Sequence, residues 1–145
     1  MLDEQFESAL QQRRKAESER AQALTYISDM CQNGHRDQVM RWLIPEMRRT
    51  PSLKKIRLWQ LDAMMFGTIQ YRAVNTVRKM RELIGDQSHV KDGHCSLGWA
   101  LQNREATVRM TTWLWLLLDR ERLIPEGFKP PEGLPYKQLF EEQPN

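Results

Sequence analysis

Apolar residues recur at spacings of three and four along most of this chain, and few segments alternate apolar with polar residues. That periodicity predicts an all-α protein of about six helices with little or no sheet. The first helix is a long one, from about Asp3 to Gln32. Its face is marked by Phe6, Leu10, Arg13, Ala16, Arg20, Leu24, Ile27 and Cys31. Two arginines on that face weaken its first half. The part before Arg20 is therefore expected to project as an arm, and the part after it to pack. Asn33-Gly34 stops the helix with a residue suited to a left-handed cap.

Asp37 is placed to cap a second helix whose buried side is Val39, Met40, Leu43, Ile44 and Met47. Pro45 lies inside that pattern and either kinks the helix or begins a new turn. After the break Thr50-Pro51-Ser52, Ser52 caps a third helix that runs through Phe66. Gly67 makes a tight turn, Thr68 caps a fourth helix to Ile84, and Gly85 closes it. A polar loop, Asp86–Cys95, follows. Ser96 caps a short fifth helix, Leu97–Asn103, and a sixth spans about Ala106–Leu123 before Pro125. The proline-rich tail is expected to be extended, with Phe128, Tyr136, Leu139 and Phe140 as anchors on the body.

The distribution of charge changes the picture more than its total. The chain carries +3 over 145 residues. From Arg48 to Arg81 stand nine basic residues, namely Arg48, Arg49, Lys54, Lys55, Arg57, Arg72, Arg78, Lys79 and Arg81, against one acid, Asp62, a net +8. The segments on either side are close to balanced, and the tail is mildly acidic. The start of the fourth helix offers backbone N–H groups with no intrahelical acceptor, and the helix dipole adds partial positive charge there. A phosphate fits such a site, and the surrounding cations supply long-range attraction. Thr68 is placed to cap the helix or touch that phosphate. The expected DNA-contacting set is Arg48, Arg49, Lys54, Lys55, Arg57, Gly67, Thr68, Gln70, Tyr71, Arg72, Arg78 and Lys79.

Other chemistry is weaker. Cys31-x-x-x-His35 with His89, His94 and Cys95 has the side chains zinc prefers, but not the spacing of a finger or ribbon. Neither a metal nor another cofactor is expected. No phosphate-binding glycine loop, activated nucleophile or carboxylate pair stands out, so an enzyme is not expected. No apolar run approaches the length of a membrane span. The acidic start, MLDEQFESAL, is unlike a signal peptide. A cytoplasmic, nucleoid-associated protein with two free thiols is the expectation. Trp59, Trp99, Trp113 and Trp115 read as core. Exposure of Trp113 or Trp115 would instead mark a patch for a protein partner.

The segment Lys55-Ile56-Arg57-Leu58, the apolar positions Leu61 and Met65, the turn glycine Gly67 and the pair Arg72-Ala73 resemble the core of the actinobacterial, mycobacterial-type integration host factors. An N-terminal helix rich in Arg, Ala and Glu and ending in Asn-Gly extends the likeness. The chain departs from that pattern at Phe66, Ile69 and Gln70, where the family has proline, a second glycine and a basic residue. The resemblance covers roughly residues 10–86. It implies a helix–two-turns–helix module that grips duplex DNA with low sequence specificity and bends or bridges it. Arg13, Arg14, Lys15 and Arg20 would form the family's basic arm. On this reading residues 1–86 are the DNA-binding module, 87–125 a C-terminal helical extension and 126–145 a tail, as a divergent, phage-encoded relative would have. A different class of reading is a host-takeover or transcription-modulating factor. It would bind a protein partner, or a second copy of itself, through the Trp- and Leu-rich C-terminal half.

Overall fold

The computed structural model describes residues 2–124. Its six α-helices are α1 (Leu2–Gln32), α2 (Val39–Arg49), α3 (Leu58–Phe66), α4 (Gln70–Ile84), α5 (Leu97–Ala100) and α6 (Thr107–Arg120). Short 3-10 helices at Arg36–Gln38, Pro51–Lys55 and Asp92–His94 join them. Among the described residues there is no strand, only one isolated bridge between Arg57 and Ser96. The fold is all-α, with the long N-terminal helix that the periodicity predicts.

One core runs from Ala23 and Ile27 on α1, through Leu43, Leu58, Leu61 and Val77, to Trp113 and Leu117 on α6. It is continuous across residue 86, so the segment after α4 closes the same core that the segment before it opens. Trp113 is fully buried, and Trp99 and Trp115 nearly so. On α1 the first buried side chain is Ala23, and residues 3–9 are exposed. The first half of α1 thus projects, and the second half packs. Gly34 and Gly85 close α1 and α4 in the left-handed region. There the amides of His35 and Asp86 reach back five residues, to the carbonyls of Met30 and Arg81.

Several boundaries differ from those expected. Asp37 does not cap α2: it lies in a 3-10 turn, and Gln38 precedes the helix without a side-chain cap. Pro45 sits inside α2 and does not end it. The helix expected from Ser52 to Phe66 is two pieces. Ile56 and Arg57 are extended, because their neighbours bond across to another part of the chain. The Leu58 amide donates to the Cys95 carbonyl at 2.9 Å, and the Leu97 amide to the Ile56 carbonyl at 2.8 Å. These bonds, with Ile56 and Leu58 both fully buried, favour the break over a continuous helix. The Gln60 side chain then accepts from the Arg57 amide and starts α3.

Ser96 does cap α5, accepting from the Trp99 amide at 3.1 Å. The helix stops at Ala100 rather than Asn103, since the Asn103 side chain accepts from the Ala106 amide at 2.7 Å and opens the next turn. α6 ends at Arg120, before Leu123. Arg122 turns left-handed at φ 56°, and the Leu123 amide returns to the Leu118 carbonyl at 2.8 Å. Pro125 and the tail anchors Phe128, Tyr136, Leu139 and Phe140 lie outside the described residues.

Candidate nucleic-acid interface

Gly67 ends α3 with φ 68°, a conformation that disfavours any side chain. The chain then reverses into α4. The 3-10 turn Asp92–His94 lies across both helices: Trp59 of α3 donates its indole N–H to the Gly93 carbonyl at 3.1 Å, and Gly93 faces Val74 of α4. Cys95 pairs with Leu58 at the start of α3, while Arg81 near the end of α4 binds Asp92. So α4 runs back along α3, and the turn at Gly67 is the tip of a helical hairpin.

The first amide of α4 to find an acceptor within the helix is that of Ala73, on the Ile69 carbonyl at 3.0 Å. The amides of Gln70, Tyr71 and Arg72 precede it and have no acceptor one turn back. Ile69 occupies the cap position, and no side chain caps α4. This corrects the role expected for Thr68. Its hydroxyl turns inward, donating to Asp62 Oδ1 at 2.7 Å and accepting from Arg120 Nη2 at 3.0 Å. It is spent inside the protein, so a phosphate at this tip would meet backbone amides rather than Thr68 Oγ1.

Asp62, the lone acid of the basic window, is fully buried. Arg120 binds it with both terminal nitrogens, at 2.7 and 2.8 Å, and its Nη1 also reaches Thr76 Oγ1. That pairing raises the Arg120 pKa further above its ordinary value, against the effect of burial. The carboxylate therefore does not offset the surface cations. Arg81 also leaves the surface set. Its five N–H groups are engaged by Asp86, Asp92, the Ser88 carbonyl and hydroxyl, and the Val90 carbonyl. Arg109 joins the same cluster, reaching Asp86 at 3.2 Å and stacking 4.1 Å over Trp99.

The other eight basic residues of the window are all exposed. They fall into three sets. Arg72, Arg78 and Lys79 lie on the outer face of α4, with Tyr71. Arg72 and Lys79 are two turns apart on one stripe, about 10.5 Å along the axis, and Tyr71 and Arg78 repeat that spacing beside them. Arg57 stands at the far end of α3 from the tip, about 15 Å from Gly67 at the helical rise, with Lys54 and Lys55 in the 3-10 turn before it. Arg48 and Arg49 close α2, where Arg49 pairs with Glu46 at 3.5 Å. The sequence missed one cation at the tip. Arg36, outside the basic window, donates Nε to the Met65 carbonyl at 2.8 Å and stacks 4.6 Å over Phe66. It also missed an exposed apolar side chain there, Ile69, which is 65% exposed; Tyr71, a member of the expected set, is 73% exposed.

The α1 arm is less basic than its arginines suggest. Residues 2–19 hold five carboxylates and three basic residues. Arg20 reaches the Ser52 carbonyl at 3.4 Å and is half-buried. Cys31 and Cys95 are free thiols, and among the described residues no three metal-binding side chains cluster. No described helix is long and apolar enough to cross a membrane. No family model matches the chain, and no curated protein or solved structure is significantly similar to it.

Proposed function

We propose that this protein grips the phosphate backbone of duplex DNA, with low sequence specificity, through the tip of the α3–α4 hairpin. The observation that carries the reading is the separation of charge around the tip. The only acid of the basic window is buried against Arg120, while Arg72, Arg78 and Lys79 stand exposed along α4 beside three unpaired helix-start amides. Such a face attracts phosphate at long range and meets it with fixed N–H donors at short range. Contacts of this kind position a protein on a duplex without reading bases. The resemblance to the integration host factors points the same way. Lys54, Lys55 and Arg57, at the other end of α3, would extend the track along the backbone.

The test is binding of a labelled random-sequence duplex over a salt series, with Arg72→Glu/Lys79→Glu beside the wild type. Both positions are exposed helix sites, so the variant keeps the fold, which Gly67→Glu would strain at its positive φ. For about four to six contacted phosphates, log K falls with log salt at a slope of roughly −3.6 to −5.4. The variant binds weakly at every salt concentration. Equal binding by variant and wild type, or none by wild type at low salt, overturns the proposal. A single-stranded RNA competitor that displaces the duplex at equal concentration redirects it to RNA.

A further inference from the structure

We infer that the projecting half of α1 is a dimerisation arm, which pairs antiparallel with the same arm of a second copy of this chain. About 18 residues of helix, some 27 Å, stand beyond the core. Phe6 there is 69% exposed and Leu10 only half-buried. Together with Ala9 and the stem of Arg13 they form one apolar stripe at helical spacing. A helix face of this kind gains its stability by covering that stripe.

The charges along the stripe select the occupant. Asp3, Glu7 and Arg14 lie on one flank, at spacings of four and seven residues. When two such helices pair antiparallel about a twofold axis, each flank meets the same flank of its partner. With the axis at Ala9–Leu10, Arg14 of one copy falls level with the gap between Asp3 and Glu7 of the other, and the reciprocal contact forms at the opposite end. Phe6 then lies against the aliphatic stem of Arg13. A parallel pairing would set this flank against the opposite one, where Gln5 and Gln12 offer no charge to match Asp3, Glu7 or Arg14. DNA is a poor occupant, because the arm carries more carboxylates than cations. The arm is thus self-complementary in one orientation only.

The experiment is sedimentation equilibrium of the full chain across a concentration series, without nucleic acid. Wild type shifts from monomer to dimer as concentration rises. Arg14→Glu faces Asp3 and Glu7 with a like charge and weakens the dimer roughly tenfold or more, and Asp3→Lys/Glu7→Lys does the same from the other side. An equimolar mixture of the two variants restores dimerisation, because each supplies the charge that the other lacks. All these positions are exposed, and circular dichroism checks that the helix persists. A wild type that stays monomeric overturns the inference. So does a dimer that ignores these reversals and Phe6→Glu, which would put self-association elsewhere on the molecule. None of these outcomes depends on whether the protein binds DNA.

Discussion

Asp62 and Arg120 are 58 residues apart in the chain, and they meet in a two-pronged ion pair at 2.7 and 2.8 Å. The pair ties the last turn of α6 to the hairpin tip, with Thr68 and Thr76 completing the hydrogen bonds. It joins the segment after α4 to the face proposed to hold DNA. The one carboxylate of the basic window is thus satisfied from within, while Arg120 Nε also pairs with Glu121 at 2.9 Å.

Removing Arg120 alone leaves a buried carboxylate without its counter-charge. Arg120→Ala is expected to lower the unfolding free energy by about 3 kcal/mol or more. Asp62→Asn/Arg120→Met removes both charges and is expected to cost less than Arg120→Ala alone. Urea unfolding followed by circular dichroism measures both. A loss in Arg120→Ala below about 1 kcal/mol would place the pair in the weak class of surface bridges.

Thr68 and Arg72 are four residues apart, and Thr68 is bonded inward while Arg72 is exposed. Thr68→Val deletes a hydroxyl bonded to Asp62 and Arg120, and is expected to cost about 1–2 kcal/mol of stability while leaving duplex affinity unchanged. Arg72→Glu is expected to weaken duplex binding while changing stability by less than about 0.5 kcal/mol. Paired unfolding and binding measurements on the two variants separate the roles. A Thr68→Val protein that is stable but binds poorly would return Thr68 Oγ1 to the phosphate site.

The cluster around Asp86 carries a pH dependence. Burial by itself raises the Asp86 pKa, but hydrogen bonds from Ser88 and Arg81, with the charges of Arg109 and Arg81, outweigh it and hold it below the ordinary 3.8. A carboxyl depressed by folding contributes stability that is full above its unfolded pKa and is lost as pH falls through the folded one. Stability is therefore expected to hold from pH 7 to about pH 5 and then decline, with this contribution fading below the ordinary carboxylate range. In Asp86→Asn the acid limb of the unfolding profile is expected to flatten. An unchanged limb would assign the acid sensitivity to other carboxylates.

The two thiols are expected to react very differently. Burial pushes the Cys95 thiol up to about 11, and its Sγ donates to the Lys91 carbonyl. Cys31 is half-buried; burial raises its pKa too, partly opposed by Arg36. At pH 8 a disulfide reagent should modify one thiol per chain in the native state and the second only on unfolding. Mass mapping should place the first on Cys31. Two fast equivalents would mean that the contact between Cys95 and Leu58 opens readily.

Much of the helical framework was legible because helices are local. Apolar spacing located all six, and Gly34, Gly67 and Gly85 marked three ends by their freedom at positive φ. The Ser96 cap was legible for the same reason, since its hydroxyl and the amide it accepts from are three residues apart. The missed boundaries have non-local causes. Nothing near Ile56 in the chain announces that Leu97 will bond its carbonyl.

The candidate site divides along the same line. The count of cations between Arg48 and Arg81, and the turn that offers free amides among them, belong to the sequence. Which of those charges face solvent was decided by tertiary contacts: Arg81 is drawn in by Asp86 and Asp92, Arg36 is brought to the tip, and Thr68 is turned inward. One sign of this was readable. Leu58, Leu61, Asp62 and Met65 stand at the spacing of a single core-facing helix stripe, which places the acid indoors. The identity of its partner was not readable, because an ion pair spanning 58 residues leaves no local periodicity. Sequence determined the helices, which follow from neighbours along the chain, and the total charge, which follows from composition. Tertiary structure decided which charges remain on the surface, because burying a carboxylate requires a counter-ion from wherever the fold supplies one.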